Sequence, residues 1–391
     1  MMPTHTIAKE TPASDAATAA GPTPRVSPDP TTDSSSPDWT RCGLKPLRIG
    51  NVSIGFPIVQ AALSGYSDLP MRTVARRLGA PYTVCEVMLD QFLLALGKRQ
   101  RTKHFLDIHP DEPPVGGQLM GAEPEQFSAG AVKLSEAGFD IIDVNFGCPV
   151  KKVLGRCRGG FHLSQPAVAI EILARTRDAV PDHKPVTVKM RRGIDDSAKS
   201  RDQFFEILEA ARGIGIAAAT VHGRTVQQRY VGPSRWSFLA EVKSAVGDAM
   251  KILGSGDLFT AEATIEMIRQ TGIDGVTVAR GAIGNPWIFA AARELACGRP
   301  HPDPPNLREQ AAVILEHYDL CEQTYGDDRA ARLMRKFCIK YSAGHPNWQE
   351  VRAKYVKMKT RDEFESILAT HYDDRPGVAI DPAIHGSQEE S

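Results

Sequence analysis

The stretch DIIDVNFGCPVKKV, Asp140 to Val153, sets a cysteine where an apolar run breaks off. Apolar residues lead to Asn145, Phe146-Gly147 turns the chain, and Cys148 follows, with Pro149 and two lysines behind it. Three roles are open to such a thiol: a small hydrophobe at a strand end, a metal or redox ligand, or a reagent aimed at a substrate. The seven cysteines (42, 85, 148, 157, 297, 321 and 338) are scattered, odd in number and without a CxxC pair. That argues against a disulfide framework and against a zinc or other metal site, and a reducing cytoplasm is the simplest setting. Other polar residues also close apolar runs: Gln118 in PVGGQL, Lys189 in PVTVKM, and His222 and Arg224 in AAATVHGRT. A lone histidine or lysine of this kind is usually a satisfied core residue. Several of them at corresponding places suggest a polar ring around one site.

The elements that must carry them are eight apolar runs: FPIVQAA, YTVCEV, PVGGQL, DIIDVNF, PVTVKM, AAATVHG, KILGSG and GVTVARG. They are near-continuous in hydrophobicity rather than alternating, as strands buried on both faces are. Helical patterns such as EPEQFSAGAVKLSEAG and DQFFEILEAARGIG lie between them. Alternating β and α units predict a parallel sheet with crossover helices, and eight of them over about 250 residues predict an α/β fold of the (β/α)8 TIM-barrel type. An open doubly wound sheet is the competitor, weakened because no GxGxxG follows the first run. In a barrel the chemistry sits at the C-terminal strand ends, where the polar residues above fall. The last two ends, Gly254-Ser255-Gly256 and Ala279-Arg280-Gly281, are glycine-bearing turns suited to an anion, because backbone N–H groups can approach it closely. Ordinary turns explain one such pair; two, after strands seven and eight, point to phosphate. Lys189 is then either half of an ion pair inside the barrel or a cation held beside an electron-rich ring, where it would stabilise the anionic reduced form of a flavin.

Residues 1–38 are rich in Pro, Ser, Thr, Ala and Asp and are expected to be a disordered tail. Residues 39–300 are read as the barrel. After the break HPDPPN a helical domain is expected over 301–372, then a flexible tail over 373–391. Lys+Arg and Asp+Glu are equal at 47 each, so any basic surface must be local. One such place is Arg332 to Thr360, which holds eight basic residues, Arg335, Lys336 and Lys340 among them, against Glu350 alone, with Tyr341 and Trp348 interleaved. A charge run is commonly just a solvated helix face; this one better fits phosphate contacts with some stacking. No run of 18 apolar residues suggests a membrane span, and the N-terminus lacks the order of a signal peptide.

DVNFGCPVKKV, VTVKMRRG, VHGRTVQQRYVGPSRW and ARGAIGNPWIF, in this order and spacing, resemble the tRNA-dihydrouridine synthases, FMN enzymes that reduce specific uridines in tRNA. The resemblance runs from about Leu47 to about Leu368. It implies that Ala61, Ala62 and Leu63 pass the flavin, that Gln118, Lys189 and His222 contact FMN, and that Gly254, Ser255, Gly256, Arg280 and Gly281 hold its phosphate. It also implies Cys148 as the catalytic acid, Asn145 beside the substrate uracil, Arg224, Arg335, Lys336 and Lys340 toward RNA, and NADPH as electron donor. No obligate protein partner is implied. Three departures stand out: Ala61-Ala62-Leu63 where the family usually has Ala-Pro-Met, Ser255 where it has Asn, and GRCRGGFHL, with Arg156, Arg158 and His162, where it favours a loop of small residues.

Saturating the C5–C6 bond of uracil takes a hydride at C6 and a proton at C5. A thiol suits the second task, being mostly protonated at neutral pH yet able to donate to a developing enolate. The base must leave the RNA fold to reach a barrel mouth. Two rival readings are an FMN oxidoreductase of the dihydroorotate dehydrogenase type acting on a free pyrimidine, and a catalytically silent RNA-binding homologue. The basic helices speak against the first; Cys148, Lys189 and His222 speak against the second. Cys157, nine residues beyond Cys148, has no role in this reading.

Overall fold

The computed structural model describes residues 38–96 and 104–386. Residues 1–37 of the expected N-terminal tail lie outside them. The described chain opens with a 3-10 turn, Asp38–Cys42, whose Trp39 packs edge-on against Phe56 with ring centroids 5.5 Å apart.

Eight parallel strands close into a ring: β3 (Ile58–Gln60), β4 (Thr83–Val84), β6 (Val115–Met120), β7 (Ile141–Phe146), β8 (Val186–Arg191), β9 (Ala218–His222), β10 (Lys251–Ser255) and β11 (Gly275–Val278). The pairings β3–β11 and β4–β6 complete the circle. The expected (β/α)8 barrel is thus present, one strand per apolar run. A short β5 (Met88–Leu89) pairs in parallel with the C-terminal end of β6, beyond the residues that pair with β4. The apolar runs do not show an antiparallel hairpin of β1 (Leu47–Ile49) and β2 (Val52–Gly55). It plugs the N-terminal mouth: Leu47 and Ile49 pack with Val59, Tyr82, Ile141 and Ala218. A Cβ at Gly50 would come within 2.8 Å of Pro185, at the start of β8. The bottom is therefore sealed, and access is through the C-terminal end.

The surrounding helices are α1 (Leu69–Arg77), α2 (Asp90–Ala95), α3 (Pro124–Glu136), α4 (Lys151–Leu154), α5 (Pro166–Ala179), α6 (Ala198–Ile214), α7 (Trp236–Val246), α8 (Ala261–Thr271) and α9 (Ile288–Ala296). Local sequence starts and stops them. Asp68, Ser197 and Thr260 cap α1, α6 and α8 through their side-chain oxygens, and Gly215 and Gly272 end α6 and α8 in the left-handed conformation.

From Leu307 on, every described element is a helix: α10 (Leu307–Tyr325), α11 (Asp327–Tyr341) with a 3-10 turn after it, α12 (Trp348–Lys357), α13 (Arg361–His371) and α14 (Pro382–Gly386). Asn306 and Glu309 form a reciprocal capping box on α10. Tyr318, Phe337, Tyr355 and Phe364 are fully buried between these helices, with Tyr318 stacked on Phe364 at 4.3 Å. The helices dock on the loop after β3. Tyr325 donates to Asp68 (2.9 Å), Lys336 Nζ donates to the Gly65 carbonyl, and Tyr66 meets Phe337 edge-on at 5.5 Å. The stretch expected as a flexible tail is described as far as residue 386 and is tied back over that length. Leu307 N–H donates to Arg375 O and Val378 N–H to Gly344 O, both at 3.0 Å, and α14 lies against the turn Arg280–Ala282. Among the described residues no helix is long and apolar enough to cross a membrane.

Candidate active site at the barrel mouth

Inward-facing side chains alternate along each strand, and this parity builds the site. On β7 it selects Asp143 and Asn145; on β8, Thr187, Lys189 and Arg191; on β6, Gln118; on β9, Thr220 and His222. The register sets Asn145 beside Lys189 and Gln118 beside Asp143. The result is one hydrogen-bonded chain. Thr187 Oγ1 donates to Asp143 Oδ1 (2.6 Å), Gln118 Nε2 to Asp143 Oδ2 (2.6 Å), and Asn145 Nδ2 to Gln118 Oε1 (2.8 Å). Gly147 N–H then donates to Asn145 Oδ1 (2.8 Å). The barrel interior thereby holds the turn that presents Cys148.

The other side of that turn is held by a cation. Arg191 Nε donates to Gly147 O (3.0 Å), and its Nη1 donates to Thr225 O and Arg229 O in the loop after β9 (2.9 and 2.7 Å). Gly160 N–H donates to Cys148 O (3.0 Å). Gly159 has φ +59°, and a Cβ there would stand 2.8 Å from Cys148 Cβ and 3.0 Å from Met120 Sδ. Gly159 and Gly160 of GRCRGGFHL are thus needed for close approach to the cysteine. Its bulky residues turn inward: Arg158 is buried and donates to Gln91 (2.8 Å), while buried His162 donates through Nε2 to Gly121 O (3.0 Å). Arg156 and Cys157 are exposed, and Cys157 has a left-handed backbone (φ +55°).

Burial pushes the Cys148 thiol up, against the Val150 N–H, Arg191 and Lys189, which pull it down. It is therefore a protonated donor at neutral pH. Burial, reinforced by Arg191, lowers Lys189 to about 8, with Asp143 and Cys148 opposing. Burial holds Asp143 above the usual carboxylate range, partly offset by the bonds from Thr187 and Gln118. His222 is held well below its ordinary value by burial and by Lys189, Arg191, Arg224 and Arg280. It is neutral, and its Nδ1 accepts from Arg224 N–H (3.1 Å), which leaves the proton on Nε2. Four cations around a neutral imidazole make the mouth strongly attractive to anions.

Ala61, Ala62, Gln118 and Lys189 line one cavity inside the barrel, together with Asp143, Thr187 and Thr277. Leu63, in the loop above, donates its N–H to Ser67 Oγ (2.8 Å). Ser255 and Gly256 end β10 beside His222, and Gly256 has φ +112°, with Ser234 and His222 packed against it. A Cβ on Gly281 would collide with Leu258 O at 2.1 Å, so β11 closes tightly on the β10 loop. Gly254 differs: the space for a side chain there is taken by Met267, Ile273 and Leu239 of the helix layer, so packing explains this glycine. Arg280 lies over the rings of Tyr230 (4.8 Å) and Phe259 (5.1 Å).

Several residues expected to face RNA sit elsewhere. Arg224 is 4% exposed, ion-paired to Asp257 at 2.8 Å and bonded to Gly232 O, so it braces the β9 and β10 loops. Lys340 is buried at 7% beneath the Gly284 turn, and Tyr341 is buried at 3%, hydrogen-bonded to His317. Lys336 is committed to Gly65 O and to the ring of Tyr66 at 5.1 Å. A loop after β9 in the first case and the helix α11 in the others turn the residue toward the barrel, which a count of charges along the sequence does not register. Arg332, Lys354, Lys357 and Lys359 are exposed, and Arg335 is half-buried with no hydrogen-bond partner for its Nε among the described residues. Asp143, Thr187 and Arg191 were missed by reading only strand ends; parity with Asn145 and Lys189 is the signal that finds them.

A family model described as dihydrouridine synthase matches residues 59–375. The chain is 33% identical over 334 residues to a probable tRNA-dihydrouridine synthase of Rickettsia conorii, covering 83% of this chain and 98% of that protein. It is 34% identical over 331 residues to one of Mycobacterium tuberculosis, covering 82% and 84%. A tRNA-dihydrouridine synthase B of Xanthomonas axonopodis pv. citri is 32% identical over 340 residues, covering 86% and 99%. Among solved structures, histamine dehydrogenase from Rhizobium sp. 4-9 aligns with a TM-score of 0.51 at 14% identity, over 72% of this chain and 51% of that one. A 2-naphthoyl-CoA reductase aligns at 0.50 and 13% identity, over 66% and 52%. The last two share the fold.

Proposed function

The chain belongs to the dihydrouridine synthase family, and we propose that it is an oxidoreductase that reduces the C5–C6 bond of uridines in tRNA. The observation that carries the reading is the chain of bonds from Thr187 through Asp143, Gln118 and Asn145 to Gly147, which holds a protonated Cys148 at the mouth of a cation-lined barrel.

The donor set fits FMN. Arg280 and the turns at Ser255-Gly256 and Gly281 suit a phosphate, and Ala61, Ala62 and Leu63 would lie along the ring, while Gly254 serves packing. Lys189, Gln118 and His222 would hold its polar ring edge, and Lys189 carries a charge that would favour an anionic ring. FMN held there and reduced by NADPH would supply hydride chemistry toward C6 of the uracil. Asn145 orients the base. The Cys148 S–H gives its proton to C5, and the thiolate left behind is held by Lys189 and Arg191 until solvent reprotonates it. Lys189 and Arg191 also stabilise the enolate that forms before the proton arrives. The helices from Leu307 on hold the tRNA, chiefly through Arg332, Arg335 and the lysines of α12, while Lys336 and Lys340 hold the helices to the barrel. A tRNA substrate fits the cytoplasmic setting expected from the unpaired cysteines.

The test uses the purified protein, NADPH and an unmodified tRNA transcript, with mass spectrometry reading the gain of two hydrogens per reduced uridine. The wild-type protein should form dihydrouridine. Cys148→Ala should retain its flavin absorbance and lose at least about a hundredfold in turnover, the usual worth of a positioned general acid. Full turnover in that variant refutes the proton-donor role; no dihydrouridine from the wild-type protein refutes the activity.

A further inference from the structure

Two loops on the barrel rim carry exposed side chains that the reaction does not use. After Cys148 the chain shows Val150, 50% exposed, then exposed Lys151 and Lys152 on α4, a helix with no buried residue. After β9 it shows exposed Arg229, then Tyr230 at 46% and Val231 at 70%. Neither loop contains a carboxylate: none occurs from Gly147 to His162 or from Gly223 to Arg235.

Arg191 joins the two loops into one surface, since its guanidinium bonds Gly147 O in the first and Thr225 O and Arg229 O in the second. The same guanidinium lies 5.6 Å from the Tyr230 ring, and Arg280 lies 4.8 Å from it. Two cations thus hold the ring while the residue stays 46% exposed. Strand order locates the surface. Around the closed ring β8 is diametrically opposite β3, with β7 and β9 on either side of it. The C-terminal helices dock on the β3 loop through Lys336 and Tyr325. The two loops therefore face those helices across the mouth.

Exposed apolar groups, a presented aromatic ring and acid-free cationic loops fit a polyanion with flat rings, that is, unpaired RNA. We propose that this rim is a second RNA-contact surface: Tyr230 stacks on a base adjacent to the uridine held in the mouth, and Lys151, Lys152 and Arg229 meet the flanking phosphates. The RNA is gripped on both sides of the mouth, which draws the target base into it from between two anchors. This rests on the tRNA reading above.

The experiment measures binding of an unmodified tRNA transcript to the full flavin-bearing chain between 50 and 200 mM salt (about the range over which phosphate contacts separate). Tyr230→Ala should weaken binding by about tenfold or more, the worth of a stacked base, and Tyr230→Phe should stay within about twofold. Lys151→Ala with Lys152→Ala should reduce the salt slope by about 1.4 to 1.8. Polyuridylate should compete with the tRNA at this surface and polyglutamate should not. Melting temperature and flavin content identify any variant that has merely failed to fold; the lysine pair, on a helix with no buried residue, keeps the test open in that event. Wild-type affinity in Tyr230→Ala, an unchanged slope in the lysine variant, or equal competition by polyglutamate overturns the proposal. If the wild-type protein itself neither binds tRNA nor forms dihydrouridine, the parent reading falls instead.

Discussion

Lys189 and Cys148 face each other with their proton affinities moved in opposite directions from the usual spacing: burial raises the thiol and lowers the ammonium to about 8. Their order is therefore reversed, the ammonium losing its proton before the thiol does, and in the proposed reaction each governs a different part. The sign follows from the charge required. Lys189 works as a cation, so single-turnover reduction of tRNA should be level below about pH 8 and fall above it as the ammonium loses its proton. The thiol stays protonated through that window, because its own shift is upward. Lys189→Arg keeps the charge and should move the falling limb to higher pH; a limb unmoved by the change belongs to another group. His222 contributes no limb near neutrality, since four surrounding cations and burial keep it neutral throughout. Residue types and strand-end positions singled out Cys148, Lys189 and His222, and the fold places all three at the barrel mouth. The same signals misjudged Arg224 and Lys340, because a guanidinium ion-paired to Asp257 and an ammonium under the Gly284 turn are indistinguishable, as letters, from free surface cations.

At the level of elements, the loop from Cys148 to Leu163 is shaped by contact rather than by propensity. Its Gly159 combines φ +59° with a side-chain position already taken by Cys148 and Met120. Gly159→Val therefore meets both a left-handed backbone penalty and overpacking, together about 2 to 4 kcal/mol. It should lower the melting temperature and cost turnover more than tenfold, since the displaced neighbour is the proposed acid. Normal turnover would mean that the loop relaxes away from Cys148. The strands were legible because burial on both faces makes each barrel strand a continuous apolar run. The β1–β2 hairpin was not, because its strands are only three and four residues long and one face is exposed. The bulky residues of GRCRGGFHL read as departures from a small-residue loop; in the fold Arg158 and His162 make internal hydrogen bonds that tie the loop to Gln91 and Gly121.

For the whole molecule, the contact between barrel and C-terminal helices passes through the active-site rim. Lys336, Tyr325 and Phe337 grip the loop Leu63–Asp68 directly above the residues expected to pass the flavin. Lys336→Met removes a charge-assisted bond worth about 1.5 to 3 kcal/mol. It should lower the melting temperature by several degrees and slow turnover, while leaving the salt dependence of tRNA binding as in the wild-type protein. A reduced salt slope in that variant would return Lys336 to the RNA surface.

What the sequence by itself determined was the architecture and the placing of Cys148 in a turn at the end of the fourth barrel strand. Period, run length and the order of strand-end residues point to a barrel, and Gly147 and Pro149 on either side of Cys148 point to a turn. What the tertiary structure decided was which cations remain for RNA and what holds Cys148 in place. Both depend on groups far apart in sequence. Asp143 meets Thr187 across two strands, Arg191 spans two loops, and Lys336 reaches Gly65 from 271 residues away. Hydrogen bonds act over about 3 Å, so only closing the barrel and docking the helices on it brings these partners within reach.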